Sequence, residues 1–153
     1  MRFYNEQHAY DCGIDLHARS MYVCILDATD AILADKKLGA NPPEFLRIIA
    51  PYREGVVVAV ECIFTWYWLA DLCTRDKIPF VLGHALYVKA IHGGRAKNDK
   101  IEARKIAVLL GCGMMPVAYA YPAQMRATRD PLRHQCHFMC KRAELLSRIR
   151  NTV

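Results

Sequence analysis

The sequence predicts an α/β domain on a mixed sheet, with an antiparallel meander followed by parallel strands and helices on both faces. Three observations predict it. Residues 9–38 hold three short runs rich in β-formers, parted by turn signals at Ala18-Arg19 and Thr29-Asp30. Residues 56–60 (VVVAV) form a continuous apolar run, then helical spacing, then a second apolar run, an order that imposes a right-handed parallel crossover. From residue 85 onward the apolar positions recur at helical period.

The strands of the meander are expected over residues 9–17 (AYDCGIDLH), 20–27 (SMYVCILD) and 31–38 (AILADKKL). Asn41 before Pro42-Pro43-Glu44 is an N-cap followed by an N1 proline, and Phe45, Leu46, Ile48 and Ile49 supply the apolar face of a helix that stops at Pro51. The run 56–60 reads as a strand buried on both faces, 64–74 as a helix and 79–83 (PFVLG) as another buried strand. Residues 85–91 read as a helix, 92–97 (HGGRAK) as a basic glycine loop, and 99–110 as a helix ending at Gly111. Residues 115–122 are expected to be an irregular connector. Asp130-Pro131 offers an N-cap and N1 pair for one long basic helix over 132–149. The chain ends at Val153 without a C-cap glycine or proline, which places its end within or just after that helix. There are no internal repeats.

Length and composition exclude several classes. A chain of 153 residues, 54% of them apolar, is neither disordered nor low-complexity, and its size fits one core. The longest apolar stretch, 55–70, carries Glu61 and falls short of the roughly 17–25 residues of a membrane span. No secretory signal opens the chain. Seven cysteines, an odd number with no CxxC pair, argue against a disulfide framework and for reduced, mostly buried thiols. A cytoplasmic location without membrane contact is expected. Charge is uneven: residues 1–76 hold 7 basic and 11 acidic side chains and residues 77–153 hold 14 and 4, giving net charges of −4 and +10. Such asymmetry fits a cationic face turned to a polyanion, because phosphate neutralisation supplies most non-specific nucleic-acid affinity. A solvated helical surface is the alternative.

Four acids stand where acids are expensive. Asp15 closes the apolar run Cys12-Gly-Ile14, Glu61 follows five apolar residues, and Asp99 and Glu102 come just after the glycine loop. A carboxylate at the end of a buried strand is partly desolvated and stays ionised only where a cation, hydrogen bonds or a metal offset that cost. Asp99 and Glu102, three apart, project from one helix face. Oxygen donors without a nearby His/Cys cluster favour Mg²⁺ or Mn²⁺ over zinc, and two such ions can drive an in-line phosphodiester displacement. Singly, each acid also has a structural reading: Asp15 in a turn, Glu61 paired with a buried base, Asp99 capping its helix. The four together with the basic loop favour the metal site.

At these residues the chain resembles the DEDD-motif transposases of insertion-sequence family 110, which include the Piv-type DNA invertases. The resemblance is carried by Gly13-Ile-Asp15-Leu-His17, by Val58-Ala-Val-Glu61 with aromatics following, and by Lys97-Asn-Asp99-Lys-Ile-Glu102-Ala-Arg-Lys-Ile-Ala107. A basic tail with Arg126, Arg129, Arg133, Lys141, Arg142, Arg148 and Arg150 is similar as well. The resemblance implies a RuvC-like, ribonuclease-H-type catalytic domain over 1–122 and a basic helical segment over 123–153 leading to an absent C-terminal domain that carries a nucleophilic serine. It implies Asp15, Glu61, Asp99 and Glu102 as catalytic metal ligands for Mg²⁺ or Mn²⁺, although the family usually has Asp at the fourth position. It also implies DNA, an RNA encoded by the element and a homo-oligomer as partners, in a bacterial or archaeal cell. Arg95, Lys97, Lys100, Arg104 and Lys105 join the basic tail as expected nucleic-acid contacts.

Other residues admit more than one role. His17 could orient a metal-bound water or a phosphate, or simply bond to backbone. His134, Cys136, His137 and Cys140 have zinc-type ligands, but on a helix they fall on different faces. Trp66, Tyr67 and Trp68 read as core packing beneath the sheet. Leu132, Phe138, Leu145 and Ile149 could pair the long helix with a second copy. Gly13-Ile-Asp15 also resembles the opening of actin-like sugar kinases, but Leu16-His-Ala-Arg lacks their phosphate loop. The rival from another class is a non-catalytic nucleic-acid-binding and oligomerisation module.

Overall fold

The computed structural model of the chain describes residues 2–63, 65–91 and 98–152. Two compact units divide it, Met1–Ala120 and Tyr121–Val153. The first is built on β1 (Phe3–Tyr4), β2 (Tyr10–Leu16), β3 (Ser20–Asp27), β4 (Ile32–Gly39), α1 (Pro42–Ile49), β5 (Val56–Glu61), α2 (Tyr67–Arg75), β6 (Phe80–Gly83), α3 (Ala85–Ile91), α4 (Asp99–Gly111) and β7 (Met115–Pro116). The second is the helix α5 (Ala123–Arg150). No described helix is long and apolar enough to cross a membrane.

The main sheet has the order β4-β3-β2-β5-β6. β2, β3 and β4 are antiparallel, whereas β5 and β6 run parallel to β2. The expected mixed sheet is therefore present. At the β3–β4 turn the Asp27 carboxylate accepts the Thr29 amide at 2.8 Å and the Ala31 amide at 3.0 Å, while Asp30 takes a left-handed φ of 63°. At α1 the Asn41 side chain accepts the Glu44 amide at 3.0 Å, the N-cap read from the sequence.

Alternation along β5 shows why this strand is apolar throughout. Val56, Val58 and Val60 face a cluster with Phe45 and Ile49 of α1 and Leu69 and Cys73 of α2, while Val57 and Ala59 face Ile106 and Leu110 of α4. Helices thus cover both faces. Trp66 is buried in the first cluster and stacks on Phe80, consistent with the core role expected of it. On the other face α4 lies unusually close to the sheet. A Cβ built at Gly13 would collide with the Ala103 carbonyl oxygen and the Ala107 amide, so the absence of a side chain there sets the depth at which α4 seats.

Several expectations are corrected. The helix after β5 starts at Tyr67 rather than residue 64. Gly111 lies inside the last turn of α4, against the Asp11 carboxylate, and the left-handed glycine that closes the helix is Gly113, with φ of 68°. The connector after α4 contains a strand: Met115–Pro116 pairs with Phe3–Tyr4, a ladder too short to leave a periodic signal. Asp130-Pro131 does not open the long helix. α5 starts at Ala123 and runs through Pro131, whose missing amide forfeits the bond to the Ala127 carbonyl. The thiols are not mostly buried: Cys12, Cys24 and Cys73 are, but Cys112, Cys136 and Cys140 are exposed. The basic loop 92–97, with Arg95 and Lys97, lies outside the described residues.

Candidate metal centre

The positions of the acids follow from strand alternation. On β2, Cys12, Ile14 and Leu16 point into the α1/α2 core, which leaves Asp11, Gly13 and Asp15 on the α4 face. On β5 the same parity puts Glu61 with Val57 and Ala59. The parallel register pairs Ile14 with Val60, so Asp15 and Glu61 stand one step further, side by side at the carboxyl ends of adjacent strands. α4 begins above them: Asn98 caps the helix by accepting the Lys100 amide at 3.1 Å, and Asp99 and Glu102 lie in its first turn.

The distances are short at the centre of this group. His17 Nε2 lies 3.2 Å from Asp15 Oδ2 and 3.7 Å from Asp99 Oδ1. One ligand atom each from Asp15, His17 and Asp99 falls within 4.8 Å of the others, a spacing that suits one cation. The His17 ring hydrogen-bonds to the Asp15 carboxylate, which puts the histidine among the acids. Thr65 ties the segment after β5 to the end of β2, its hydroxyl donating to the Leu16 carbonyl at 3.0 Å.

The electrostatics split the acids into two kinds. Burial, and then the charges of Asp99 and Glu102, push the Asp15 carboxyl above its ordinary range against the opposing pull of His17. Burial, then Glu102 and Asp15, push Glu61 the same way. Asp99 is different: the hydrogen bond from Lys37 Nζ, 2.8 Å from Oδ2, holds it below the ordinary range. A divalent cation among these donors would offset the mutual repulsion that Asp15 and Glu61 carry alone, so the residues fit such an ion.

Sheet register explains Lys37, which the sequence reading did not select. Asp15 pairs with Tyr22, and Tyr22 with Lys37, so one row across β2, β3 and β4 places Lys37 on the face of Asp15. The next row, Gly13, Cys24 and Asp35, places Asp35 under Lys100, whose Nζ lies 2.6 Å from Asp35 Oδ2. Lys100 is therefore in an internal ion pair. Of the other expected nucleic-acid contacts, Arg104 is exposed and Lys105 half-buried. Along α5, Arg126 donates to the Tyr121 carbonyl, Arg129 lies 4.7 Å over the Tyr121 ring, and Lys141 and Arg148 both pair with Glu144. Arg133, Arg142 and Arg150 are exposed. His134, Cys136, His137 and Cys140 do not converge; among the described residues the metal-type cluster is the one at Asp15.

No curated protein matches the chain. Solved structures do. RuvC from Thermus thermophilus is similar with a TM-score of 0.48 and 15% identity, over 71% of this chain and 99% of its own. T. thermophilus RuvC in complex with Holliday junction substrate gives a TM-score of 0.51 and 14% identity, over 72% and 100%. The second likeness shows a RuvC-like fold of the ribonuclease-H type. The family model of the DEDD transposases of insertion-sequence family 110, described as "Transposase", matches residues 12–153. The chain therefore belongs to that transposase family.

Proposed function

We propose that Asp15, Glu61, Asp99 and Glu102 form the catalytic centre of a DNA transposase, dependent on Mg²⁺ or Mn²⁺ and acting on phosphodiester bonds in strand cleavage and transfer. The observation that carries this reading is the convergence of Asp15, His17 and Asp99 at the carboxyl end of β2, with Glu102 close enough to perturb both Asp15 and Glu61. Divalent ions bound there would activate the attacking oxygen and stabilise the leaving one. Asp15 and Glu61 supply ligands from rigid strand ends, Asp99 and Glu102 supply them from the first turn of α4, and His17 holds Asp15 and Asp99 together. The two domains are residues 1–122, the catalytic part, and 123–153, the basic helix. DNA is the substrate, a reading supported by family membership and by the neighbour solved with Holliday junction substrate. The exposed Arg133, Arg142 and Arg150 hold nucleic acid, including an RNA from the element, and α5 pairs with a second copy. The cell is bacterial or archaeal and the compartment its cytoplasm.

The test is calorimetric titration of Mg²⁺ and Mn²⁺ into the wild-type chain and Asp15→Asn, with circular dichroism to verify folding. Metal uptake by the wild type that Asp15→Asn loses while staying folded is the expected outcome. Folded protein without uptake in either form favours the non-catalytic binding module, for which the exposed basic residues of α5 speak equally.

A further inference from the structure

Two ion pairs link the edge strand β4 to the first turn of α4, and they differ in kind. In the Asp35–Lys100 pair the carboxylate is largely enclosed, with 18% of its side chain exposed, and it stands away from the acid cluster. It adds to the apolar packing and the close seat on Gly13 that dock the helix. The Lys37–Asp99 pair is open: the Lys37 side chain is 59% exposed and Asp99 34%. Its ammonium occupies Oδ2 of a carboxylate whose other oxygen faces His17 and, through it, Asp15. A divalent cation brought to Asp99 would compete with that ammonium for the same carboxylate. Lys37 is a compact charge on a long flexible stem at a sheet edge, so it can leave without unseating the helix.

We propose that Lys37 is an exchangeable counter-cation of the acid cluster: it neutralises Asp99 before metal arrives, is displaced as the ion binds, and then contacts a phosphate of the nucleic-acid substrate. The inference rests on the metal-centre reading above, and its consequence is that metal uptake and phosphate grip are coupled through one side chain. An acid cluster without metal then keeps its cation to itself, and a loaded one turns it toward the substrate.

The experiment is a Mn²⁺ titration of the full chain as wild type, Lys37→Met and Lys37→Arg, followed by binding of a short DNA duplex at several salt concentrations with and without Mn²⁺. Loss of an exposed competing pair should tighten Mn²⁺ binding about two- to fivefold in Lys37→Met, an effect that a merely structural role would not produce. Lys37→Arg should restore wild-type affinity. With Mn²⁺ present, Lys37→Met should lower the salt slope of duplex binding by about one, and without Mn²⁺ it should leave the slope unchanged. Mn²⁺ affinity that is unchanged or weakened in a folded Lys37→Met overturns the exchange alone, as does a slope that falls equally with and without metal. A wild-type chain that takes up no Mn²⁺ overturns the metal-centre reading, and the exchange falls with it.

Discussion

Asp11 shares the α4 face of β2 with Asp15 but sits at the opposite end of the strand, where it is 6% exposed beside Gly111. Burial, helped by Asp30, raises its pKa from 3.8 to about 6. A folded-state pKa above the unfolded one means that the folded protein holds this proton more tightly. The corresponding stability is fully present below about pH 4 and is lost as the pH rises through about 6. Asp11→Asn should therefore flatten the fall in stability over that window and stabilise the protein at neutral pH by about 1–3 kcal/mol, since each pKa unit is worth about 1.4 kcal/mol. Urea midpoints at about pH 4 and pH 7 check this. Asp15 and Glu61 are raised in the same direction, so without metal they too favour the acidic side.

The seating of α4 is decided by Gly13. Overpacking a close backbone contact costs roughly 1–3 kcal/mol, and here the atoms in the way are main chain, which cannot swing aside. Gly13→Ala should lower stability by at least about 2 kcal/mol in denaturant melts and lift Asp99 away from Asp15, weakening metal uptake. In α5 the opposite change helps: an interior proline costs a helix about 3 kcal/mol, so Pro131→Ala should raise helical ellipticity and the melting temperature of the helix. These two positions also mark what was legible in the sequence. β2 to β6 and α1 announce themselves through alternation, apolar runs and the Asn41-Pro42 start, and the four acids stand out by interrupting apolar strands. Pro131 misled, because Asp-Pro is a strong local start signal that the preceding residues 123–130 override by being helical already. His17, two residues after Asp15, is legible as a neighbour of the acids, whereas Lys37 is not, because its contact depends on a cross-strand row. That row follows only once the registers of β2 with β3 and of β3 with β4 are both fixed.

At the scale of the whole chain, the positive charge is carried by the later half of the sequence, and Arg133, Arg142 and Arg150 expose theirs along α5. If these grip phosphates, their combined replacement by Gln should reduce the slope of log K against log salt for duplex DNA by up to about three, with little change in stability. Fluorescence anisotropy at several salt concentrations measures it. Neutralising Lys141 or Arg148 should matter less, because Glu144 already holds both.

The first of the clustered acids lies on β2 and the last on α4, with β3, β4, α1, β5, α2, β6 and α3 between them in the chain. Nothing local in the sequence brings them together. During synthesis the hairpin carrying Asp15 exists long before Asp99 has been made, and a chain halted ahead of α4 has strands but no assembled cluster. If the cluster binds an ion as proposed, it is a checkpoint on completed folding: an ion captured at the end of the process would draw the population toward the finished state by mass action.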